Sequence, residues 1–414
     1  MALSLRKNFG FALIGNLCYA LTQYLILVIY IKFFTSENVG SFIFASAFST
    51  PLMMSLDAQL RNFYVTDQNN KYSFAAYFTF RFLTSIFGFV FISVISILLY
   101  PELFYFIGIV VLIKVFESQI DLIYGIYQKN NRLDYIAYSR IIRGSIALFS
   151  VFCVSYLFEN ILYSLSAYLF SWIFIFFLVE KKLVVKRGFI VKDEFKLLLS
   201  NILVLKPLFF LCLPMFFSIF LDKYYLNFPR LQVEKIFGLE MLGIFGSLMY
   251  FKSIGGQFIT SLAQSAVPKL AEYYKNGLFK SFKLLLWKMI SIGFSIGICL
   301  TLVSYLFGYS ILSVLYTEEY SKYNDVLTFI LIGATFTFSY TYIATALTSI
   351  RKQWVRLPIS LFSFFILAVL FFSMKLKNLT DVTIIVLFVE ALTFIVYYSV
   401  YFYFLRKETS KKEI

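Results

Sequence analysis

The chain has 414 residues, 60% of them hydrophobic and only 14% charged, well below the charged share of a soluble protein. There is no histidine, which excludes His-ligated metals, histidine proton relays and His-based catalytic triads. The net charge of +15 is spread over alternating loops rather than one domain, which argues against nucleic acid and for a polytopic membrane protein.

The first apolar run, Phe9 to Ile31, is too long for a signal-peptide core and reads as a retained first span. A span needs roughly 20 apolar residues at about 1.5 Å each, and on that rule twelve follow one another. The first six lie near 9–32, 41–66, 74–100, 103–128, 135–158 and 160–180. The second six lie near 207–228, 240–268, 283–307, 322–350, 355–376 and 380–405, with a break around DKYYLNFPRLQVEK. The expected fold is all-α, about 12 transmembrane helices in two six-helix lobes.

The loops set the orientation. One set carries Arg6, Lys7, Arg61, Lys71, Lys129, Arg132, the KKLVVKR run, Lys269, Lys275, Lys280, Arg351, Lys352, Arg356 and the RKETSKKEI tail. The other holds Lys32, Lys223, Arg230, Lys235, Lys322, Lys375 and Lys377, mostly beside acidic residues. That asymmetry places both termini in the cytoplasm. Residues 1–180 form the first lobe, 181–206 a cytoplasmic linker, 207–405 the second lobe and 406–414 a basic tail. Within the linker, Phe195, Leu198, Leu199, Ile202 and Leu205 share one helical face. That pattern suits an interfacial helix and equally an early start to the seventh span.

A short repeat supports two lobes. ENVGSF (Glu37 to Phe42) and EMLGIF (Glu240 to Phe245) both fit E-x-[VL]-G-x-F and stand 203 residues apart at the mouths of spans two and eight. Pro51 in span two and Gly255 with Gly256 in span eight are paired interruptions of the kind that mark a transport pathway. Pro214 is expected to bend or break span seven.

The stretch KVFESQIDLIYGIYQKNNRLDYIAYSRIIRG, residues 114–144, puts charge deep in the apolar pattern. Lys114, Glu117 and Asp121 make a polar stripe on span four with Ser118, Gly125 and Gln128 beside it. Arg140 and Arg143 share a face of span five, and Arg81 lies about two turns into span three. Asp57 and Arg61, at i and i+4, are expected to pair along span two. In the second lobe Lys252 and Glu390 are intramembrane charges, Glu390 without a local partner. Such charges face a cavity or a partner, although Arg61, Arg81, Arg140 and Arg143 are also near enough to an interface to snorkel. The candidate substrate-binding residues are Arg61, Arg81, Lys114, Arg140, Arg143 and Lys252. The candidate coupling or charge-balancing residues are Asp57, Glu117, Asp121 and Glu390. An excess of cations suits an anionic head group, above all phosphate. The four cysteines, Cys18, Cys153, Cys212 and Cys299, lie singly in different spans and read as buried hydrophobes rather than as a metal or disulfide framework.

Three stretches carry a family resemblance: FFTSENVGSFIFASAFSTPLMMSLDAQLRN (Phe33 to Asn62), YGIYQKNNRLDYIAYSRIIRG (Tyr124 to Gly144) and FGLEMLGIFGSLMYF (Phe237 to Phe251). With them the chain resembles the multidrug/oligosaccharidyl-lipid/polysaccharide (MOP) exporter superfamily, and within it the O-antigen and polysaccharide flippases of the Wzx type. The resemblance implies a MATE-like fold, no enzymatic activity and no cofactor. It implies translocation of undecaprenyl-diphosphate-linked oligosaccharides from the inner to the outer leaflet of the bacterial cytoplasmic membrane by alternating access through a cationic cavity. It points to Arg61, Lys252, Arg140 and Lys114 as matching cavity cations, and to a polysaccharide polymerase and chain-length regulator as partners beside the bilayer. Basic residues in the first span are common among related lipid flippases, whereas Gln23 is the polar residue there in this chain. The rival readings are a cation-coupled small-molecule exporter of the same superfamily, which calls for an acidic cavity, and a membrane enzyme such as an O-antigen polymerase or lipid-sugar glycosyltransferase. An enzyme of that kind calls for a larger external loop than any present.

Overall fold

The computed structural model describes residues 5–67, 71–189, 192–196 and 205–410. Among these every regular element is helical, and two compact units emerge, Met1–Leu231 and Gln232–Ile414.

The first unit contains α1 (Leu5–Phe33), α2 (Ser36–Leu56), α3 (Leu60–Thr66), α4 (Phe74–Leu99), α5 (Phe104–Lys129), α6 (Leu133–Leu157), α7 (Ile161–Phe174) and α8 (Lys181–Lys186). A π-helical turn, Ile175–Glu180, joins the last two. The unit also takes the first part of α9 (Lys206–Lys275). Helix α5 is its hub, packing on α2, α3, α4, α6 and α7. The second unit contains the rest of α9, then α10 (Phe279–Leu315), α11 (Glu318–Ser321), α12 (Asn324–Ser349), α13 (Arg356–Ser373) and α14 (Leu379–Ser410). There α12 packs on both α10 and α14.

Eleven helical segments among the described residues are long and apolar enough to cross a membrane, and this is a multi-pass membrane protein. The expected spans seven and eight, near 207–228 and 240–268, both fall within α9. At about 1.5 Å per residue its 70 residues would run roughly 105 Å, against a hydrocarbon core of about 30 Å. The stretch is interrupted at Gly238 (φ 85°, ψ 179°), a backbone region essentially open to glycine alone. The break therefore falls at Gly238 and not at Pro214, which lies in unbroken helix. A proline is tolerated there because it removes one amide donor without forcing a non-helical φ.

Burial differs from that of a soluble helix in taking in polar and small groups as well as apolar ones. On α4 the buried positions include Thr79, Arg81, Ser85, Gly88 and Ser96, while Phe87, Val90, Val94, Leu98 and Leu99 are exposed. Small and polar groups face protein, where hydrogen bonds exist, and apolar groups face the acyl chains.

Both copies of the repeat stand at helix starts. ENVGSF opens α2, where the Thr35 hydroxyl accepts the Asn38 N–H at 3.4 Å, and EMLGIF follows the Gly238 break. Of the proposed linker helix, Leu198, Leu199 and Ile202 lie outside the described residues. Its start, Lys192–Phe195, is a single 3-10 turn. Phe195 packs edge-on to Phe74 and Phe78, and the Glu194 carboxylate accepts the Ala75 N–H at 2.9 Å, so this turn caps α4.

Candidate functional site

The charged side chains of the first unit meet around α5. Helix α2 ends at Leu56 because Ala58 (φ 44°) and Gln59 (φ 54°) take left-handed backbone, and α3 restarts at Leu60. Asp57 and Arg61 therefore do not lie on one helix, and the expected i, i+4 pair is absent. Each turns to another partner. Arg81 donates to the Asp57 carboxylate and, at 2.9 Å, to the Ser118 hydroxyl, which itself donates to Asp57. Arg61 donates to Asp121 at 2.9 Å and to the Gln128 side chain at 2.9 Å. The stripe on α5 thus divides. Ser118, Asp121 and Gln128 face the α2–α3 break, while Glu117 turns to α1 and accepts the Tyr19 hydroxyl at 2.7 Å.

Helices α1 and α6 approach closely because Gly144 leaves room: a Cβ there would sit 2.6 Å from the Thr22 hydroxyl. That approach brings Asn16 and Tyr19 against Arg140 and Arg143. Arg140 donates to the Asn16 side-chain oxygen. Arg143 is held between the rings of Tyr19 and Trp172, 4.8 and 4.0 Å from their centroids. Arg81 and Arg143 are 1% and 4% exposed, so neither snorkels to an interface. The Tyr124 ring lies beneath both Arg61 (5.9 Å) and Arg140 (5.6 Å), which joins the two halves of the cluster. Lys114, half-buried on α5, completes five cations within one unit.

Four carboxyl groups accompany them: Asp57, Glu117, Asp121 and Glu180. The last stands at the very end of span six, where KK follows it and the apolar run stops, and the sequence did not mark it as a candidate. It is fully buried at the end of the π turn and accepts the Ser139 hydroxyl, which bonds Tyr124 at 2.6 Å. Asn16, Tyr19 and Trp172 also escaped sequence reasoning, since polar and aromatic residues carry no signal in a chain with 31 Tyr and 53 Phe. Gln23, the polar residue of the first span, accepts the Tyr168 hydroxyl at 2.9 Å. Among the described residues, Lys114, Arg140 and Arg143 meet no carboxylate within ion-pair distance. The cluster therefore keeps positive charge unspent on protein partners. No three His, Cys, Asp or Glu side chains converge as a metal cage among the described residues.

An apolar groove of about 620 Å³ lies beside the cluster, between α2, α4 and the start of α9. Its walls include Leu56, Phe80, Phe87, Phe209 and Phe216, with Lys206 at its edge.

In the second unit Lys252 on α9 donates to Glu390 on α14, so Glu390, which had no local partner in sequence, is ion-paired. Gly333 of α12 stands against that carboxylate: a Cβ there would be 2.3 Å from its Oε2.

No protein-family model matches the sequence. The capsular polysaccharide biosynthesis protein CapF of Staphylococcus aureus is 30% identical over 398 residues, 96% of this chain and 98% of CapF. Among solved structures, the inward-facing conformation of a multidrug resistance MATE family transporter of the MOP superfamily aligns with a TM-score of 0.69 at 13% identity. It covers 100% of this chain and 97% of the other. The outward-facing conformation of such a transporter gives 0.65 at 15% identity, covering 98% and 96%. A MOP superfamily transporter from Pyrococcus furiosus, described as having a binding pocket of reversed polarity that suggests a different function, gives 0.64 at 13% identity, covering 95% and 94%. The fold is that of the MATE transporters.

Proposed function

The chain belongs to the family of the capsular polysaccharide biosynthesis protein CapF, and from that premise we propose that it is a Wzx-type lipid-linked oligosaccharide flippase. In this reading it moves undecaprenyl-diphosphate-linked repeat units of a surface polysaccharide from the inner to the outer leaflet of the bacterial cytoplasmic membrane by alternating access. The observation that carries the reading is the cluster of Arg61, Arg81, Lys114, Arg140 and Arg143, three of whose members meet no carboxylate within ion-pair distance among the described residues. Unneutralised guanidinium groups at membrane depth are costly unless an anion visits them, and arginine matches the paired oxygens of a diphosphate. The aromatic faces of Tyr19, Tyr124 and Trp172 hold these cations without cancelling their charge. The apolar groove by Lys206 offers a berth for a polyprenyl chain. A drug-cation antiporter of the same fold would need the opposite balance of charge, and a polymerase or glycosyltransferase is disfavoured by the short connections on the face opposite the basic loops.

The test is genetic and chemical. Deletion of the gene is expected to leave lipid-linked oligosaccharide on the cytoplasmic face of the membrane, and complementation to clear it. Complete single repeat units building up on the outer face would instead mark a polymerase. Arg140→Glu is expected to abolish clearance. Arg140→Ala should weaken binding of a polyprenyl-diphosphate sugar about ten- to a hundredfold, the worth of one charge-assisted hydrogen bond at about 1.5–3 kcal/mol. Unchanged clearance by Arg140→Glu would remove the cluster from the pathway.

A further inference from the structure

Three carboxyl groups are buried among the described residues. Asp134 meets Arg132 at 2.7 Å and Glu390 meets Lys252. Glu180, 0% exposed, meets no cation within ion-pair distance. Its Oε1 accepts one hydrogen bond, from Ser139, and its Oε2 has no partner among the described residues. The groups facing it are few. Ser139 and Arg143 come from α6, with Arg143 acting only through space, and Tyr124 and Tyr127 come from α5. Lys181 and Lys182 follow it in sequence. An ionised carboxylate in that position would hold its charge out of water against a single hydroxyl, an arrangement that burial penalises heavily. The residue also closes a π-helical turn, a local widening that recurs at functional positions in helices.

We propose that Glu180 is a proton-binding site, carrying its proton on Oε2 in this conformation and linked to the arginine cluster through Ser139 and Tyr124. The direction of the hydrogen bonds defines the link. Ser139 spends its hydrogen on Glu180 Oε1, so the 2.6 Å contact between Ser139 and Tyr124 is donated by the tyrosine. The ring of that tyrosine seats both Arg61 and Arg140. Loss of one proton from Oε2 to water, in a conformation that opens the site to it, leaves a carboxylate two hydrogen bonds from that ring and draws the cations toward it. Uptake of one proton reverses the change, and no electrons move. Asp57, Asp121 and Glu390 are poorer hosts because each already neutralises a cation, so a proton there would break an ion pair. Glu117 accepts Tyr19 and has Lys114 one turn away on its own helix. The linkage to translocation rests on the flippase reading, whereas the proton on Glu180 does not.

The experiment uses the full chain in proteoliposomes and has two arms. In the first, infrared spectra of wild type and Glu180→Gln are compared at neutral pH. A neutral-carboxyl band present in wild type and missing from the variant is the expected result, and its absence from the difference overturns the proposal. In the second, flipping of a fluorescent polyprenyl-diphosphate oligosaccharide is measured with and without an imposed pH gradient. The ratio of the two rates is taken within each protein, so a change in expression or folding does not enter it. Wild type is expected to respond to the gradient, Glu180→Gln to give a ratio of one, and Tyr124→Phe, which keeps the ring and loses the hydroxyl, to shrink the response. A Glu180→Gln ratio equal to that of wild type overturns the coupling. If no protein flips the probe under any gradient, the flippase reading fails and the coupling with it, while the infrared arm still decides whether Glu180 holds a proton.

Discussion

Lys252 and Glu390 lie 138 residues apart in sequence, and nothing in either local pattern announces the other. The charge at each position was legible because an ionisable residue inside an apolar run stands out. Its partner was not, because pairing depends on which helices become neighbours. The same holds for Arg81 with Asp57 and for Arg61 with Asp121. The pair in the second unit allows a clean test of what such contacts are worth. Both side chains are nearly buried, at 13% and 9% exposed. Lys252→Met leaves an uncompensated carboxylate and is expected to cost about 3–5 kcal/mol, whereas the double variant Lys252→Met with Glu390→Leu should recover much of that loss. Thermal unfolding in detergent reads both. If the double variant is no more stable than the single, the two charges do not act as a pair.

Helix boundaries were mostly legible, since apolar runs of span length leave little room for other structure. The exceptions have local causes. The α2–α3 break uses Ala58 and Gln59, neither of which advertises a left-handed backbone, so span two read as continuous from 41 to 66. The α9 break falls inside the gap expected between spans seven and eight, near 228–240, but Gly238 itself was not singled out and Pro214 drew the expectation of a further bend or break, because proline is the louder signal and one glycine the quieter. Gly238→Ala is expected to destabilise the protein by about 1–3 kcal/mol, the cost of forcing a side chain into that backbone region. An unchanged melting temperature would show that the break relaxes into ordinary helix. The loop after α3 is governed differently. Asp67 accepts the N–H groups of Lys71 and Tyr72 at 3.0 and 3.1 Å and the Tyr77 hydroxyl at 3.3 Å. Burial pushes its carboxyl upward, but those hydrogen bonds and nearby Lys129 outweigh it and hold the group below its ordinary value. A depressed carboxylate stabilises fully above the unfolded value of about 3.9 and loses that contribution as pH falls through the folded value. Hydrogen exchange at the Lys71 and Tyr72 amides should therefore be protected equally from about pH 5 to 8, after correction for intrinsic rate. Asp67→Asn should weaken protection across that window, and unaltered protection in that variant would show that the carboxylate does not order the loop.

For the whole molecule the open quantity is parity: whether α9 crosses the membrane once or twice decides which side every later loop occupies. Charge distribution and length give the same answer. Lys269, Lys275 and Lys280, and beyond them Arg351, Lys352 and Arg356, fall on the side of the termini only if α9 crosses twice. A helix of roughly 105 Å cannot be buried in a core of about 30 Å by tilting alone. Two crossings would meet at the Gly238 break. In a background with Cys18, Cys153, Cys212 and Cys299 replaced, single cysteines at Glu159, Asn276 and Asn378 read the parity directly. An impermeant thiol reagent applied to intact cells is expected to label Glu159→Cys and Asn378→Cys and to spare Asn276→Cys until the membrane is opened. A single crossing by α9 would exchange the last two results and leave the first unchanged. Glu159 therefore reports the orientation of the first unit independently of α9, and the pair in the second unit reports whether that long helix returns.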